Sequence, residues 1–244
     1  MKNQYFWLLL LLIPIVILIL CLACRKASKQ KSSQIYITGI MPSINGKVKI
    51  LLDSPRIGTI DNFLTIKECN EIVNTMNLMK DKHEISILTR GGKYILDDSH
   101  RLSKSLRVDK ESPLFKNILQ RVSKKFSLPF SHFENPHIIF YEKGGFFKRH
   151  LDHHSYKLPR MRVISMFIYL NDDFEGGETY FDQFDLSVKP KAGRALWWFN
   201  VDPKTRKIDN RTYHEGREVT AGKKYGMNVW ICNIPFGSQS AKSS

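Results

Sequence analysis

The chain has 244 residues, a formal net charge of +15 and 42 % hydrophobic residues. The length suits one catalytic domain with a short appendage, and aromatic residues spread along its soluble part exclude an intrinsically disordered chain. Of the four cysteines, Cys21 and Cys24 sit in an apolar run and Cys69 and Cys232 at apolar positions of a helix and a strand, which excludes a disulfide framework. The positive charge reads as a Lys-rich solvated surface, or as attraction to an acidic polypeptide or to nucleic acid. No nucleic-acid motif accompanies it, so no nucleic-acid partner is expected.

The predicted elements begin with an uncharged apolar run from Tyr5 to Cys24, long enough to cross a bilayer. Pro14 is tolerated in such a helix, and Tyr5 and Trp7 stand where an interfacial aromatic belt would place them. A cleaved secretory signal has a shorter apolar core, and a lipoprotein signal ending at Cys24 lacks the usual Leu. Residues 1–25 are therefore read as a transmembrane signal-anchor of a single-pass membrane protein. The cluster Arg25, Lys26, Lys29 and Lys31 suits anionic lipid headgroups and, by the positive-inside rule, a cytoplasmic domain.

Residues 26–49 read as a linker and leading strand, with alternation suggesting strands at Gln34–Ile40 and Lys47–Leu52. Thr65-x-x-Glu68 is a capping box, followed by Cys69, Ile72, Val73 and Met76 at helical spacing. Ser112-Pro113 opens a second helix, Ser as N-cap and Pro at the first helical position, with Leu114, Ile118 and Val122 on its buried face. From His137 onward strands dominate: His137 to Tyr141, Arg162 to Leu170, Ala195 to Phe199 and Met227 to Ile234, punctuated by Gly144-Gly145, Gly176-Gly177 and Gly193. The fold class is mainly β with flanking helices, a double-stranded β-helix (jelly-roll) core over about 134–236 within a domain of 50–236. Residues 237–244 read as a disordered tail.

The chemistry concentrates in Tyr141-x-x-Gly144-x-x-Phe147-x-x-His150-x-Asp152, taken with His214 and Lys224. Residues i and i+2 of an extended strand share a face, so His150 and Asp152 can reach one metal. A distant His214 completes a two-His, one-carboxylate facial triad for non-haem Fe(II). His153 and His154 are rival ligands or solvated loop residues. Lys224 could supply a cation for an acidic cosubstrate.

This text resembles the prolyl 4-hydroxylase branch of the 2-oxoglutarate and Fe(II)-dependent dioxygenases, from about Ile50 to Pro235. Ser54-Pro-Arg56, Asp61-Asn-Phe-Leu-Thr65, Glu134-Asn-Pro136 and the His150 block carry the resemblance. So do Arg162-Val-Ile-Ser165-Met-Phe-Ile-Tyr169, Gly176-Gly177-Glu178-Thr179-x-Phe181, Pro190-x-x-Gly193-x-Ala195-Leu196 and His214-x-Gly216-x-x-Val219-x-x-Gly222-x-Lys224-Tyr225, closing at Trp230. The chain departs from the family at Gly145 and His137 (usually Gln), Phe147 (usually Tyr), Ser165 (often Thr), Glu218 (usually Pro) and Tyr225 (usually Trp).

The resemblance implies iron on His150, Asp152 and His214, and 2-oxoglutarate with its far carboxylate on Lys224 and hydrogen bonds from Tyr141 and Ser165. It implies O2 as oxidant, L-ascorbate as reductant, release of succinate and carbon dioxide, and hydroxylation of peptidyl proline to 4-hydroxyproline. A proline-rich or collagen-like polypeptide would lie in an aromatic-lined groove for which Trp197, Trp198 and Tyr225 are the candidates, with strand-core packing the safer reading for at least one Trp. It also favours the endoplasmic reticulum lumen over the cytoplasmic side given by the positive-inside rule. The rivals are a hydroxylase of lysine or nucleic acid in the same superfamily, and an inactive peptide-binding module.

Overall fold

Strict alternation in the central strands decides which side chains meet the core and which meet the site. A computed structural model describes residues 41–85, 88–90, 93–95, 99–153 and 160–235, all within the unit Tyr36–Ser244. The expected transmembrane segment, the Gln34–Ile40 strand and the 237–244 tail lie outside the described residues. Among the described residues no helix is long and apolar enough to cross a membrane.

The structure is mainly β. The larger sheet has eight antiparallel strands in the order Lys49–Asp53, Arg56–Ile60, Ala195–Phe199, Arg162–Tyr169, Lys224–Cys232, His137–Tyr141, Lys104–Arg107 and Glu84–Ile85. A second, antiparallel five-stranded sheet runs Leu186–Val188, Thr179–Phe181, His214–Gly216, Phe146–His150 and Arg101–Leu102. One cavity takes its lining from both sheets, the arrangement of a jelly-roll core.

Two α-helices cover the outer face of the larger sheet. Ile66–Leu78 begins with the expected capping box: the Thr65 hydroxyl accepts from the Glu68 amide at 3.2 Å, and the Glu68 carboxylate accepts from the Thr65 amide at 2.8 Å. Pro113–Phe126 starts where Ser112-Pro113 predicts, but Ser112 makes no side-chain cap. Its hydroxyl donates instead to the Asp109 carbonyl at 2.7 Å, while Pro113, lacking an N–H, leaves one fewer orphan donor for a cap to satisfy. Before the first strand, the Ser43 and Asn45 amides donate to Phe126 and Lys125 carbonyls, and Met41, Ile44 and Val48 pack against the core.

The main core is the layer between helices and sheet. Cys69, Ile72 and Met76 of the first helix and Phe115, Ile118, Leu119, Val122 and Phe126 of the second meet Ile164, Met166 and Ile168 of one strand and Met227, Val229 and Ile231 of its neighbour. Each such side chain removed from water contributes roughly 1.5–3 kcal/mol. The alternate residues point the other way: Phe167, Tyr169, Leu196 and Trp198 join Phe181 and Val188 of the second sheet in a separate cluster. This period of two sorts the groove candidates, giving Trp197 the core packing expected of at least one Trp and removing Tyr225 from the groove. Trp197 faces the helices and packs edge-on against Phe126 at 5.3 Å, and Tyr225 faces the same side, its hydroxyl donating to Asn77. Neither belongs to a groove at the site; Trp198 alone of the three lines the cavity.

Gly226 sits on the site-facing side of the Lys224–Cys232 strand, where the Phe167 ring crosses it; a Cβ there would fall 2.1 Å from Phe167 Cζ. Gly226→Ala should therefore displace the ring and lower stability by about 2 kcal/mol, typical of overpacking. Thermal unfolding measures this; an unchanged melting temperature would show that the ring yields at no cost.

Candidate functional site

Pairing in the second sheet brings the three expected metal ligands together. His214 is the cross-strand partner of His150, on neighbouring antiparallel strands, and their rings lie 4.2 Å apart. Asp152 is reached differently from the prediction. The strand ends at His150, and Asp152 lies on a bend beyond it. The turn still delivers the carboxylate: ligand atoms of His150, Asp152 and His214 all lie within 4.8 Å of one another, and this is the metal-competent cluster found among the described residues. His153 lies outside that cluster, and His154 is outside the described residues.

The chemistry of this donor set fits a divalent cation. The Nδ1 of His150 lies 2.7 Å from the Lys148 carbonyl, and that of His214 lies 3.0 Å from the Thr212 carbonyl. Carbonyls only accept, so each Nδ1 carries the proton and each Nε2 offers a lone pair. Burial, then the neighbouring His214 and opposed by Asp152, holds the His150 imidazole well below its ordinary range. Burial would push the Asp152 carboxyl up, but the His214 and His150 rings, the Arg162 guanidinium and the Ser165 hydroxyl outweigh it and hold it down. Two imidazole lone pairs and a carboxylate converge, as Fe(II) ligation requires.

Surrounding groups fix the ligands. Trp230 Nε1 donates to Asp152 Oδ2 at 3.0 Å. The Trp230 ring carries the Arg162 guanidinium 3.7 Å from its centroid, and Arg162 forks onto Glu134 with bonds of 2.7 and 2.8 Å. Phe147 stacks on His150 at 3.5 Å, and Trp198 meets His214 at 4.5 Å. Ser165 is placed differently from the expected cosubstrate contact. Cross-strand from both Trp198 and Trp230, it accepts from Asn200 Nδ2 at 2.9 Å and hydrogen-bonds Asp152. It stands behind the carboxylate, because an inward strand position flanked by two Trp rings leaves its short side chain no path into the cavity.

Lys224 lies in the cavity wall only 2 % exposed. Its ammonium donates to the Gly177 carbonyl at 2.7 Å and sits 4.9 Å from the ring centroids of Tyr141 and Phe167. Burial brings its pKa down from 10.5 to about 7, opposed by the charge of Glu178. Tyr141, its cross-strand partner, also lines the cavity. Burial raises its phenol, while Arg101 and Ser103 pull it back.

Sequence reasoning missed Thr179, Phe167 and Asn228 in the lining, and the bond from Trp230 to Asp152. A signal existed for two of them: counting in twos from Lys224 along its strand reaches Asn228 and Trp230. Thr179, whose Oγ1 is 2.8 Å from the Tyr169 hydroxyl, belongs to a short strand that no periodicity announces.

Comparison with known proteins agrees with this geometry. The family model of the 2OG-Fe(II) oxygenase superfamily matches residues 136–232. A putative prolyl 4-hydroxylase of Acanthamoeba polyphaga mimivirus is 26 % identical over 186 residues, covering 72 % of this chain and 74 % of its own length. Prolyl 4-hydroxylase 1 of Arabidopsis thaliana is 29 % identical over 210 residues, covering 77 % and 72 %. The solved viral collagen prolyl hydroxylase of Paramecium Bursaria Chlorella virus-1, in its 2OG complex, shares the fold with a TM-score of 0.60 and 24 % identity, over 75 % of this chain and 99 % of that one.

If Trp230 orients Asp152 for a metal, Trp230→Phe should weaken Fe(II) binding by roughly 10–100-fold, the usual effect of losing a partner of a metal ligand. Anaerobic calorimetric titration reads this directly. Equal affinity in the variant would show that the indole only packs.

Proposed function

From the 2OG-Fe(II) oxygenase domain that this chain carries, we infer that the protein hydroxylates peptidyl proline to 4-hydroxyproline, with succinate and carbon dioxide as co-products. The observation that carries this is the His150–Asp152–His214 cluster sharing one cavity with a buried lysine. Bound Fe(II) supplies the activation of O2, driven by oxidative decarboxylation of 2-oxoglutarate, for attack on an unactivated C–H bond.

His150, Asp152 and His214 would hold the metal, a donor set that suits non-haem Fe(II). The Lys224 ammonium, with the Tyr141 phenol beside it, takes the far carboxylate of 2-oxoglutarate; a buried cation is costly until such a partner arrives. Phe167 and Trp198 keep water from the site, and Ser165 acts through Asp152. L-ascorbate serves as the reductant of the iron. The intact ligand cluster weighs against an inactive peptide-binding module, and a lysine in the place where nucleic-acid demethylases use arginine weighs against those enzymes. The uncharged run Tyr5–Cys24 supports a single-pass anchor; against the cytoplasmic side that the basic cluster after the run gives, the family resemblance favours the lumenal side for the domain. Protease protection in sealed microsomes tests that side, and digestion of the domain without detergent would reverse it.

Lys224 gives the activity a pH signature. With its pKa brought down to about 7, the free site loses its ammonium as pH rises through 7, so 2-oxoglutarate must then bind with uptake of a proton. Affinity should fall by up to about tenfold per pH unit above 7, one proton's linkage. The stability effect has the opposite sign. The folded pKa lies below the unfolded one, so the cost of burying the charge is full below 7 and vanishes as pH climbs toward 10.5. Calorimetry in buffers of different ionisation enthalpy counts the proton; no uptake at pH 8 would place the lysine's titration elsewhere.

The function itself is tested by succinate release with Fe(II), 2-oxoglutarate and ascorbate, with and without a proline-rich peptide. Peptide-stimulated turnover, a gain of about 16 Da on proline (one oxygen atom), and loss of both in His150→Ala are expected if the metal does the oxidation. Turnover without peptide stimulation would keep the oxygenase and reject the proline substrate.

A further inference from the structure

One guanidinium packed behind the cavity lining makes no ion pair among the described residues, although the Asp152 charge reaches it. Arg101 is 9 % exposed. Its Nε donates to Ser103 Oγ at 2.9 Å, and its guanidinium lies 4.3 Å from the Phe147 ring centroid and hydrogen-bonds the Tyr141 phenol. Phe147 and Tyr141 both line the cavity. Yet Nη2 is buried without any acceptor. A buried donor left unmade is costly, and a charged one more so.

Positive character continues along the wall. Arg107 is exposed and is the cross-strand partner of His137. The His137 ring packs edge-on against Trp230 at 5.1 Å, and Arg162 lies against Trp230 as well. Burial, followed by the charges of Arg107 and Arg162 and, more weakly, Arg101, brings the His137 imidazole down to about 3, so it stays neutral among them. Of the three guanidiniums, Arg162 is the one that makes an ion pair among the described residues, with Glu134. Beside the cavity there are thus two cations, buried Arg101 against Phe147 and exposed Arg107 across from the neutral His137.

We propose that the peptide substrate is acidic: a Glu or Asp side chain next to the target proline docks on Arg101, and a second acidic residue further along meets Arg107. This rests on the proline-hydroxylase reading of the same cavity and specifies which proline peptides it takes. A carboxylate is the group that a guanidinium recognises with paired, charge-assisted hydrogen bonds. It would supply the acceptor that Nη2 lacks, whereas a lysine in its place would bring another cation into a wall with too many. The net charge of +15 acts in the same direction at longer range, drawing acidic chains toward the protein.

The test uses the full-length chain with three peptides identical except that the residues flanking a single proline are Glu, Gln or Lys. Values of kcat/KM should fall in the order Glu, Gln, Lys, by roughly tenfold per step, the scale of one charge-assisted contact. Fluorescence anisotropy of labelled peptides should give the same order for binding alone. Arg101→Gln and Arg107→Gln should each bring the Glu-to-Gln ratio toward one; Arg107 is exposed, so its variant keeps the test valid if Arg101→Gln fails to fold. Equal use of the Glu and Gln peptides, preference for Lys, or a ratio unmoved in Arg107→Gln and in any folded Arg101→Gln would overturn the proposal while leaving proline hydroxylation standing. Failure of all three peptides to be hydroxylated would remove the proline reading and this proposal with it.

Discussion

A buried, nearly uncompensated ammonium at Lys224 organises the interior of this protein. Placing such a charge away from water costs several kcal/mol unless something answers it, and the fold answers only in part. One carbonyl, from Gly177, accepts at 2.7 Å, and the faces of Tyr141 and Phe167 lie at 4.9 Å. Each of these depends on an unusual local choice. Gly177 has φ +66°, and a Cβ there would press on Phe174 and on Lys224 itself, so only glycine turns the carbonyl toward the lysine. Phe167 reaches its place because Gly226 leaves room for the ring. The missing part of the answer is a carboxylate, the group that 2-oxoglutarate would bring under the proposed function.

The metal ligands obey a different constraint, convergence without protons between them. Backbone carbonyls of Lys148 and Thr212 fix both imidazole tautomers, and Trp230 and Ser165 hold the carboxylate from the other sheet. The triad is therefore set from two layers at once: its histidines by strand pairing in the smaller sheet, its aspartate by groups from the larger one. A bend after His150 serves better than a continued strand, because it lets Asp152 cross toward Trp230 and leave its own sheet.

Much of this was legible in the sequence where periodicity or a fixed spacing carried it. The capping box at Thr65–Glu68, the Pro113 helix start, the strand Ala195–Phe199 and the triad residues follow from local patterns that the structure keeps. The details that local patterns leave open share one cause, the face of the strand on which a residue falls. Trp197 and Trp198 are neighbours with opposite fates, one between helices and sheet, the other beside His214. Tyr225 likewise follows Lys224 but points to the other side. Tertiary partners were invisible for another reason. Nothing local to Ser165 announces Asn200, and nothing local to Arg162 announces Glu134, because these contacts exist only after distant segments pair.

The departures from the prolyl 4-hydroxylase pattern sort by position, and the sorting says which properties are free to vary. Glu218 and Tyr225 lie off the cavity, and Ser165 retains the hydroxyl that Asp152 uses. Gly145 is confined by backbone: a Cβ would meet the Glu142 carbonyl at 2.8 Å and the Leu102 carbonyl at 3.0 Å, so this turn has tightened beyond what glutamine allows. Phe147 lines the cavity, and His137 packs against Trp230 of its lining. Both are neutral, both touch aromatic or imidazole rings of the metal layer, and each stands beside an arginine, Arg101 over Phe147 and Arg107 across from His137. A phenylalanine gives the guanidinium a face to lie on but no oxygen to bond, and a neutral histidine screens no charge. The substitutions therefore leave the His150–Asp152–His214 cluster and Lys224 alone while stripping acceptors from around those arginines, and under the proposed reading an acidic substrate would satisfy them instead.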